Sequence, residues 1–243
     1  MTAVLYAMPA SHPCATVERA LELKQVPYRR KDSIPLLHRL EQYARFRVAT
    51  VPTIRFEDGT KLAGSTAIMK ALDERAPEPR LFPTDEETLA GVKRAEEWGD
   101  QVLQPLARRI IWAAFRRSPR DVMMSYAEGA DLPLPTAVAR VNVPLVTWLG
   151  FKANHASDPN VRADLAHLDS HLDRADRWVA DGAMGGEQAN AADLQVGSSI
   201  RLLSTLEDLR PRLEGRPVHQ LAMRWFPRYP GSVPAGTLPR DWI

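Results

Sequence analysis

The sequence predicts an α/β half followed by an all-helical half. Three observations carry that expectation. Strand-like and helix-periodic segments alternate as β-α-β-α-β-β-α up to residue 76, the stretch Ala76 to Pro83 holds three prolines, and no convincing strand appears beyond it. The expected limits are 1–76 for the α/β domain, 77–83 for a linker and 84–243 for the helical domain.

Val4 to Met8 is a short β-prone run that stops at a proline, which reads as a buried strand. From Pro13 the period becomes helical: Val17, Ala20 and Leu21 share a face, and Gln25-Val26-Pro27 ends the helix. Tyr28-Arg29-Arg30 is a weak second strand, and Leu36 to Tyr43 is a helix candidate. Thr53 to Phe56 alternates as a strand, Asp58-Gly59 marks a turn, and Lys61-Leu62-Ala63 pairs back as a hairpin. Ser65 to Ala76 is a helix whose Ile68, Met69 and Leu72 recur at helical steps.

Thr84 to Arg117 reads as one long helix, with Thr84 or Asp85 as N-cap, Glu86 and Glu87 in the first turn, and a kink at Pro105. Asp158 to Ala180 carries the stripe Leu165, Leu168, Leu172 and Val179. Asn190 and Asp193 have the spacing of a capping box and open a helix expected to reach Leu206. A last helix runs near Val218 to Trp225, and the tail from Pro227 reads as Pro/Gly-rich coil.

Composition narrows the function classes. Of 243 residues 44% are hydrophobic and 26% charged, which excludes a polyelectrolyte or a collagen-like repeat. The single cysteine, Cys14, excludes an intramolecular disulfide or a cysteine-rich metal cage and fits a reducing cytoplasm. No run approaches the roughly 18–20 apolar residues of a membrane helix, and the first residues lack the basic flank of a signal peptide, so a soluble cytoplasmic protein is expected. With 32 Lys+Arg against 30 Asp+Glu, no nucleic-acid partner is expected. Charge nevertheless clusters: Lys24, Arg29, Arg30, Lys31, Arg39, Arg45 and Arg47 face only Asp32 and Glu41, a segment able to attract an anion or simply to form a solvated face.

Ser11-His12-Pro13-Cys14 lies between the first strand and first helix, where free backbone N–H groups and the helix dipole favour an anion such as a thiolate. The spacing is that of a Cys-x-x-Cys motif with serine in the first place, so dithiol exchange is excluded. Ser11 can instead donate a hydrogen bond to a sulfur brought by a substrate. Thr50-Val51-Pro52-Thr53 puts a proline at a strand entry, and Gly64-Ser65 opens the third helix at an N-terminus able to hold a carboxylate.

The order of these features resembles the cytosolic glutathione transferases of the theta- and delta-like serine type. It comprises Ser-x-Pro-Cys at the first helix, Val-Pro-Thr before a hairpin, a serine opening the next helix, a Pro-rich linker and a helical half. Asn190-x-x-Asp193 followed by Leu194 is similar to that family's C-terminal capping motif. The resemblance implies a thioredoxin-like N-terminal domain that binds glutathione and an all-helical C-terminal domain that supplies a pocket for a small hydrophobic electrophile. It implies Ser11 as the catalytic hydroxyl, Val51 and Pro52 as the backbone that pairs with the cysteinyl part, and Gly64-Ser65 as the cradle of the γ-glutamyl carboxylate. Cys14 would pack behind the site, Asp100 would lie near the partner's glutathione amine, and the protein would be a cytoplasmic, detoxifying homodimer without a metal.

Two departures stand out. Gly64 occupies the position where the family usually has Glu, Gln or Asp, a loss of about 1.5–3 kcal/mol if a charge-assisted contact is missing. Arg45-Phe46-Arg47-Val48 stands where an Asn-Pro often precedes the Val-Pro loop. Lowering a thiol pKa from about 8.5 to about 6.5 takes roughly 2.7 kcal/mol, within reach of a hydroxyl bond plus a helix terminus. The thiolate fraction at neutral pH then rises about 25-fold, but nucleophilicity falls about eightfold, leaving about threefold. Most of the acceleration must therefore come from holding thiolate and electrophile together, and Trp112, Phe115, Met123, Met124 and Tyr126 are the candidate pocket wall.

Other readings remain. His167 and His171 lie four apart on a helix with Asp169 and Asp173 interleaved, a spacing that can chelate a metal. A non-catalytic binding or scaffold protein of the same fold, or a transferase or isomerase using another low-molecular-weight thiol, would also fit the departure at Gly64.

Overall fold

A computed structural model of the chain describes residues 2–34, 37–128, 130 and 135–243. Four strands form one sheet in the order β2-β1-β3-β4, with β1 Ala3–Ala7, β2 Tyr28–Asp32, β3 Thr53–Arg55 and β4 Lys61–Ala63. β2 runs parallel to β1, and β3 and β4 are antiparallel to their neighbours. Alternation sorts the side chains. Ala3, Leu5, Ala7 and Ile54 enter the core beneath α1 (His12–Leu23) and α3 (Ser65–Arg75), while Val4 and Tyr6 point to the opposite face. The element order is the one the alternation predicts, and the arrangement is the thioredoxin-like one that the resemblance implies.

β2 extends to Asp32 rather than ending at Arg30, because Glu18 and Asp32 neutralise Arg30 at 2.6 and 2.8 Å and a charged edge strand becomes tolerable. The next helix, α2, spans His38–Phe46. It starts and ends later than the expected Leu36 to Tyr43, and Leu36 itself lies outside the described residues.

The expected single helix from Thr84 to Arg117 is three pieces: α4 Glu86–Trp98, a π-helical turn over Gly99–Leu103, and α5 Gln104–Arg117. Pro105 has no N–H to donate to the preceding turn, and the widened turn takes up the mismatch. Asp85 is the N-cap, its carboxylate accepting the Thr88 N–H at 2.9 Å. Gly99 gives the turn its close contact with α9 (Ala191–Leu203), since a Cβ there would lie 2.9 Å from Val196.

Two helices absent from the expected layout follow, α6 Arg120–Ser125 and α7 Thr136–Ala153. Prolines at 119, 133, 135 and 144 obscure them in sequence, and α7 keeps Pro144 in its interior. α8 spans Asp158–Ala180 as expected. α9 opens on a complete capping box, Asn190 and Asp193 each accepting the other's backbone N–H, but ends at Leu203 rather than Leu206. α10 (Arg210–Leu213) and α11 (Pro217–Trp225) complete the helices. α9 is the hub of the helical half and packs on α1, where Thr16 Oγ1 donates to Ser198 Oγ at 2.8 Å. The tail is ordered rather than free coil: Val233 pairs with Leu206, and Val233, Leu238 and Trp242 are buried.

Candidate functional site

The register decides which residues can meet. Tyr6 lies opposite Thr53, Thr53 opposite Ala63, and Ala7 beside Asp32. The end of β1, the start of β3, the end of β4 and the end of β2 therefore share one end of the sheet. Ser11, Val51, Pro52, Gly64 and Ser65 all follow or precede those strand ends by a few residues.

Ser11 is the N-cap of α1, in extended conformation, and its hydroxyl makes no capping bond. It is half-buried and lines a cleft of about 390 Å³ with Met8, Tyr126, Glu128, Arg228 and Tyr229 among the walls. Cys14, one turn on, is 1% exposed. Burial pushes its thiol up to about 11, only partly offset by the Ser11 hydroxyl, so Cys14 stays a protonated core residue at neutral pH. His12 is also buried, and desolvation with the nearby Arg108 guanidinium holds it well below the usual imidazole range. Its Nε2 has no hydrogen-bond partner.

The Val51-Pro52 bond is cis, and the Pro52 carbonyl accepts the Gly64 N–H at 3.0 Å, tying the hairpin entry to the α3 N-terminus. Gly64 is the α3 N-cap at φ +87°, a region that L side chains rarely adopt. A Cβ there would meet nothing within 4 Å, so backbone conformation rather than space selects glycine. Ser65 is buried as the first residue of α3. Next to it, Thr66 Oγ1 donates to the buried Glu96 carboxyl, which desolvation raises above its ordinary value. Val51, Pro52, Gly64 and Ser65 thus reach the same sheet end as Ser11 but do not line its cleft.

Among the candidate wall residues only Tyr126 lines this cleft; Phe115 stacks edge-on behind it at 4.9 Å and Trp112 behind Phe115 at 5.6 Å. The Met123 sulfur accepts from Thr147. Asp100 is bound within its own chain, accepting from Gln104 and Gln195. Of the acids interleaved with His167 and His171, Asp169 pairs with Arg212 and Asp173 with Arg216, and no group of three or more possible metal ligands occurs among the described residues. Likewise no helix among them is long and apolar enough to cross a membrane.

The wall that sequence reasoning missed is the tail. Arg228, Tyr229 and Pro230 line the cleft, and the Tyr229 hydroxyl donates to the Ala10 carbonyl at 2.5 Å, clamping the β1–α1 loop. Ala10 sits at φ +52°, a strained setting that this bond helps to hold. Gly231, at φ +85°, lies against the Tyr126 ring, where a Cβ would come within 2.3 Å. Gly231→Ala is expected to cost on the order of 2 kcal/mol or more from backbone strain and ring displacement, with the cleft altered. Thermal unfolding and the KM for the second substrate check it.

Residues 5–80 match the family glutathione S-transferase, N-terminal domain. The fold is that of the glutathione S-transferases. A glutathione S-transferase from Sinorhizobium meliloti is 20% identical, with a TM-score of 0.60 over 97% of each chain. One from Methylobacterium radiotolerans, in complex with glutathione sulfonate, is 17% identical, with a TM-score of 0.59 over 93% of this chain and 88% of that one. A maleylacetoacetate isomerase from Anaeromyxobacter dehalogenans, with bound dicarboxyethyl glutathione and citrate, is 22% identical, with a TM-score of 0.55 over 91% and 90%. No curated protein matches the chain in sequence. In the glutathione S-transferase fold of this chain, the sheet end carrying Ser11 faces the tail and the turn after α6.

Proposed function

We propose that this protein is a serine-type, glutathione transferase-like enzyme that ionises the thiol of glutathione for attack on a small electrophile. One observation carries the reading: the Ser11 hydroxyl, released from capping duty at a helix N-terminus, lines a cleft walled by the helical half and the tail. The hydroxyl donates to the incoming sulfur and the α1 dipole favours the thiolate. Val51 offers its backbone beside the cis proline to the cysteinyl part, and the Ser65 N–H at the α3 N-terminus, placed by the turn at Gly64, receives the γ-glutamyl carboxylate. Tyr126 and the tail hold the electrophile within reach of the sulfur. Burial keeps the His12 imidazole neutral and the Cys14 thiol protonated near neutral pH, so neither contributes a limb to the pH profile there.

Conjugation of glutathione to a generic aryl halide tests the reading. Turnover above the uncatalysed rate supports it. No turnover and no retention on immobilised glutathione, with the fold intact, would favour a binding protein, and turnover with a different thiol would replace the co-substrate.

The quaternary state belongs to the same proposal: a cytoplasmic homodimer. Val138, Val141, Leu145 and Trp148 recur at three- and four-residue steps along α7 and are exposed, as are Leu37, Leu40 and Tyr43 beside and along α2. A two-fold axis covers such stripes in pairs. Sedimentation is expected to give one species at twice 27.2 kDa, and a monomer at working concentration contradicts it.

A further inference from the structure

The face of the sheet opposite α1 and α3 carries an unusual row of charge. Side chains two apart on a strand share a face, and Tyr6 marks this one by packing its ring edge-on against Phe46 of α2 at 5.2 Å. Through the register, Arg29, Val4, Arg55 and Lys61 then form one row across the four strands, and Lys31, Tyr6 and Thr53 the next. α2 covers the second row, where Thr53 bonds Gln42 at 2.6 Å, and ends at Phe46. The first row is left open, with Arg29, Arg55 and Lys61 exposed.

Like charges directly opposite one another on antiparallel strands destabilise a sheet, and Arg55 faces Lys61 in that way. Among the described residues no ion pair offsets either charge. Arg55 has no hydrogen-bond or ion-pair partner there. Lys61 Nζ donates to the Arg45 carbonyl at 3.0 Å and lies 5.7 Å from the Phe46 ring. Glu41 of α2 is already shared by Lys31 at 2.8 Å and Arg45 at 3.3 Å, which hold it below its usual range. Two other cations of the basic segment are paired elsewhere: Lys24 is buried on Asp73 at 2.7 Å, and Arg30 pairs with Glu18 and Asp32.

Between them Tyr6, Arg45, Phe46, Arg55 and Lys61 enclose a recess of about 210 Å³. Three cations and two rings line it, and no acid does. The geometry points to a binding site for a small phosphorylated compound. Its phosphate lies between the Arg55 fork and the Lys61 ammonium, and its apolar or planar part lies along Phe46 and the rim of Tyr6. A guanidinium fork and an ammonium beside each other match two or three phosphate oxygens, and the bound dianion removes the repulsion across β3 and β4. Arg55 and Lys61 sit next to the β3–β4 turn, at the end of the sheet away from Ser11, so this site is separate from the thiol site.

The test is calorimetry on the full chain at low ionic strength, with inorganic phosphate, pyrophosphate and phenyl phosphate as probes, on wild type, Arg55→Gln, Lys61→Gln and the double variant. One saturable site is expected, with phenyl phosphate binding tighter than inorganic phosphate and at least a tenfold rise in Kd in the double variant. Conjugating activity stays unchanged. Thermal unfolding supplies a second readout with opposite signs: without anion, Arg55→Gln unfolds at the same temperature as wild type or higher, while only wild type gains stability on adding pyrophosphate. Equal binding by wild type and the double variant, several weak sites per chain, or no saturable binding would overturn the proposal.

Discussion

Replacing Ser11 by alanine is expected to move the ionisation of bound glutathione upward by one to two pH units. A hydroxyl bond to a charged acceptor contributes about 1.5–3 kcal/mol, and 1.36 kcal/mol corresponds to one unit. At neutral pH the thiolate fraction then falls about three- to 25-fold. The more basic sulfur is a better nucleophile, which offsets part of this, so conjugation near pH 6.5 falls several-fold and the deficit closes as pH rises. The sign matters: a purely structural loss would lower activity equally at every pH. Folding should be untouched, because the Ser11 side chain caps nothing. Thiolate ultraviolet absorbance as a function of pH, with wild type and Ser11→Ala in parallel, gives the shift directly. Coincident midpoints would remove Ser11 from the chemistry.

The second large effect concerns stability. Asp193 is fully buried, and its two oxygens accept the Gly185 N–H at 2.7 Å and the Asn190 N–H at 2.9 Å. Burial pushes its carboxyl up to about 6, so at neutral pH it caps α9 as a carboxylate. Alanine would strand two backbone donors in a helix start on which α1, α4, α5 and α11 all pack. At about 1–3 kcal/mol for each unpaired group, Asp193→Ala is expected to lose on the order of 2–6 kcal/mol and to unfold at least about 4 °C lower. Asn190→Ala removes one cap and should cost about 1 kcal/mol. If both variants unfold with wild type, the capping box is not what holds the hub helix.

The elements that sequence made legible are those in which one local rule dominates. β1, the Asp58-Gly59 hairpin, α8 and the Asn190–Asp193 box each follow from periodicity or from a fixed hydrogen-bond pattern, and each is present. Where rules compete, the reading blurs. The π-helical turn before Pro105 looks like continuous helix because apolar spacing changes little across one extra residue. α7 escapes because its apolar residues point outward as well as inward and four prolines punctuate the region around it. The tail carries no period at all, yet it closes the cleft through Tyr229 and the close approach of Gly231 to Tyr126. Such contacts span over a hundred residues, and no local signal announces them. The position of Ser11 at the start of α1 follows from the strand-to-helix change in the sequence. The separation of its cleft from Val51, Pro52, Gly64 and Ser65 does not, because it depends on which side of the β1–α1 loop the tail approaches.

Titration calorimetry of glutathione into the wild-type chain and into Ser65→Ala bears most directly on the idea that this sheet end accepts a cysteinyl tripeptide. The account predicts one molecule bound per chain, proton release on binding that is largest between the bound and free thiol pKa values and falls away on either side, and weaker binding with the same release in Ser65→Ala. Heats indistinguishable from dilution at millimolar glutathione, or binding that releases no proton, would contradict it.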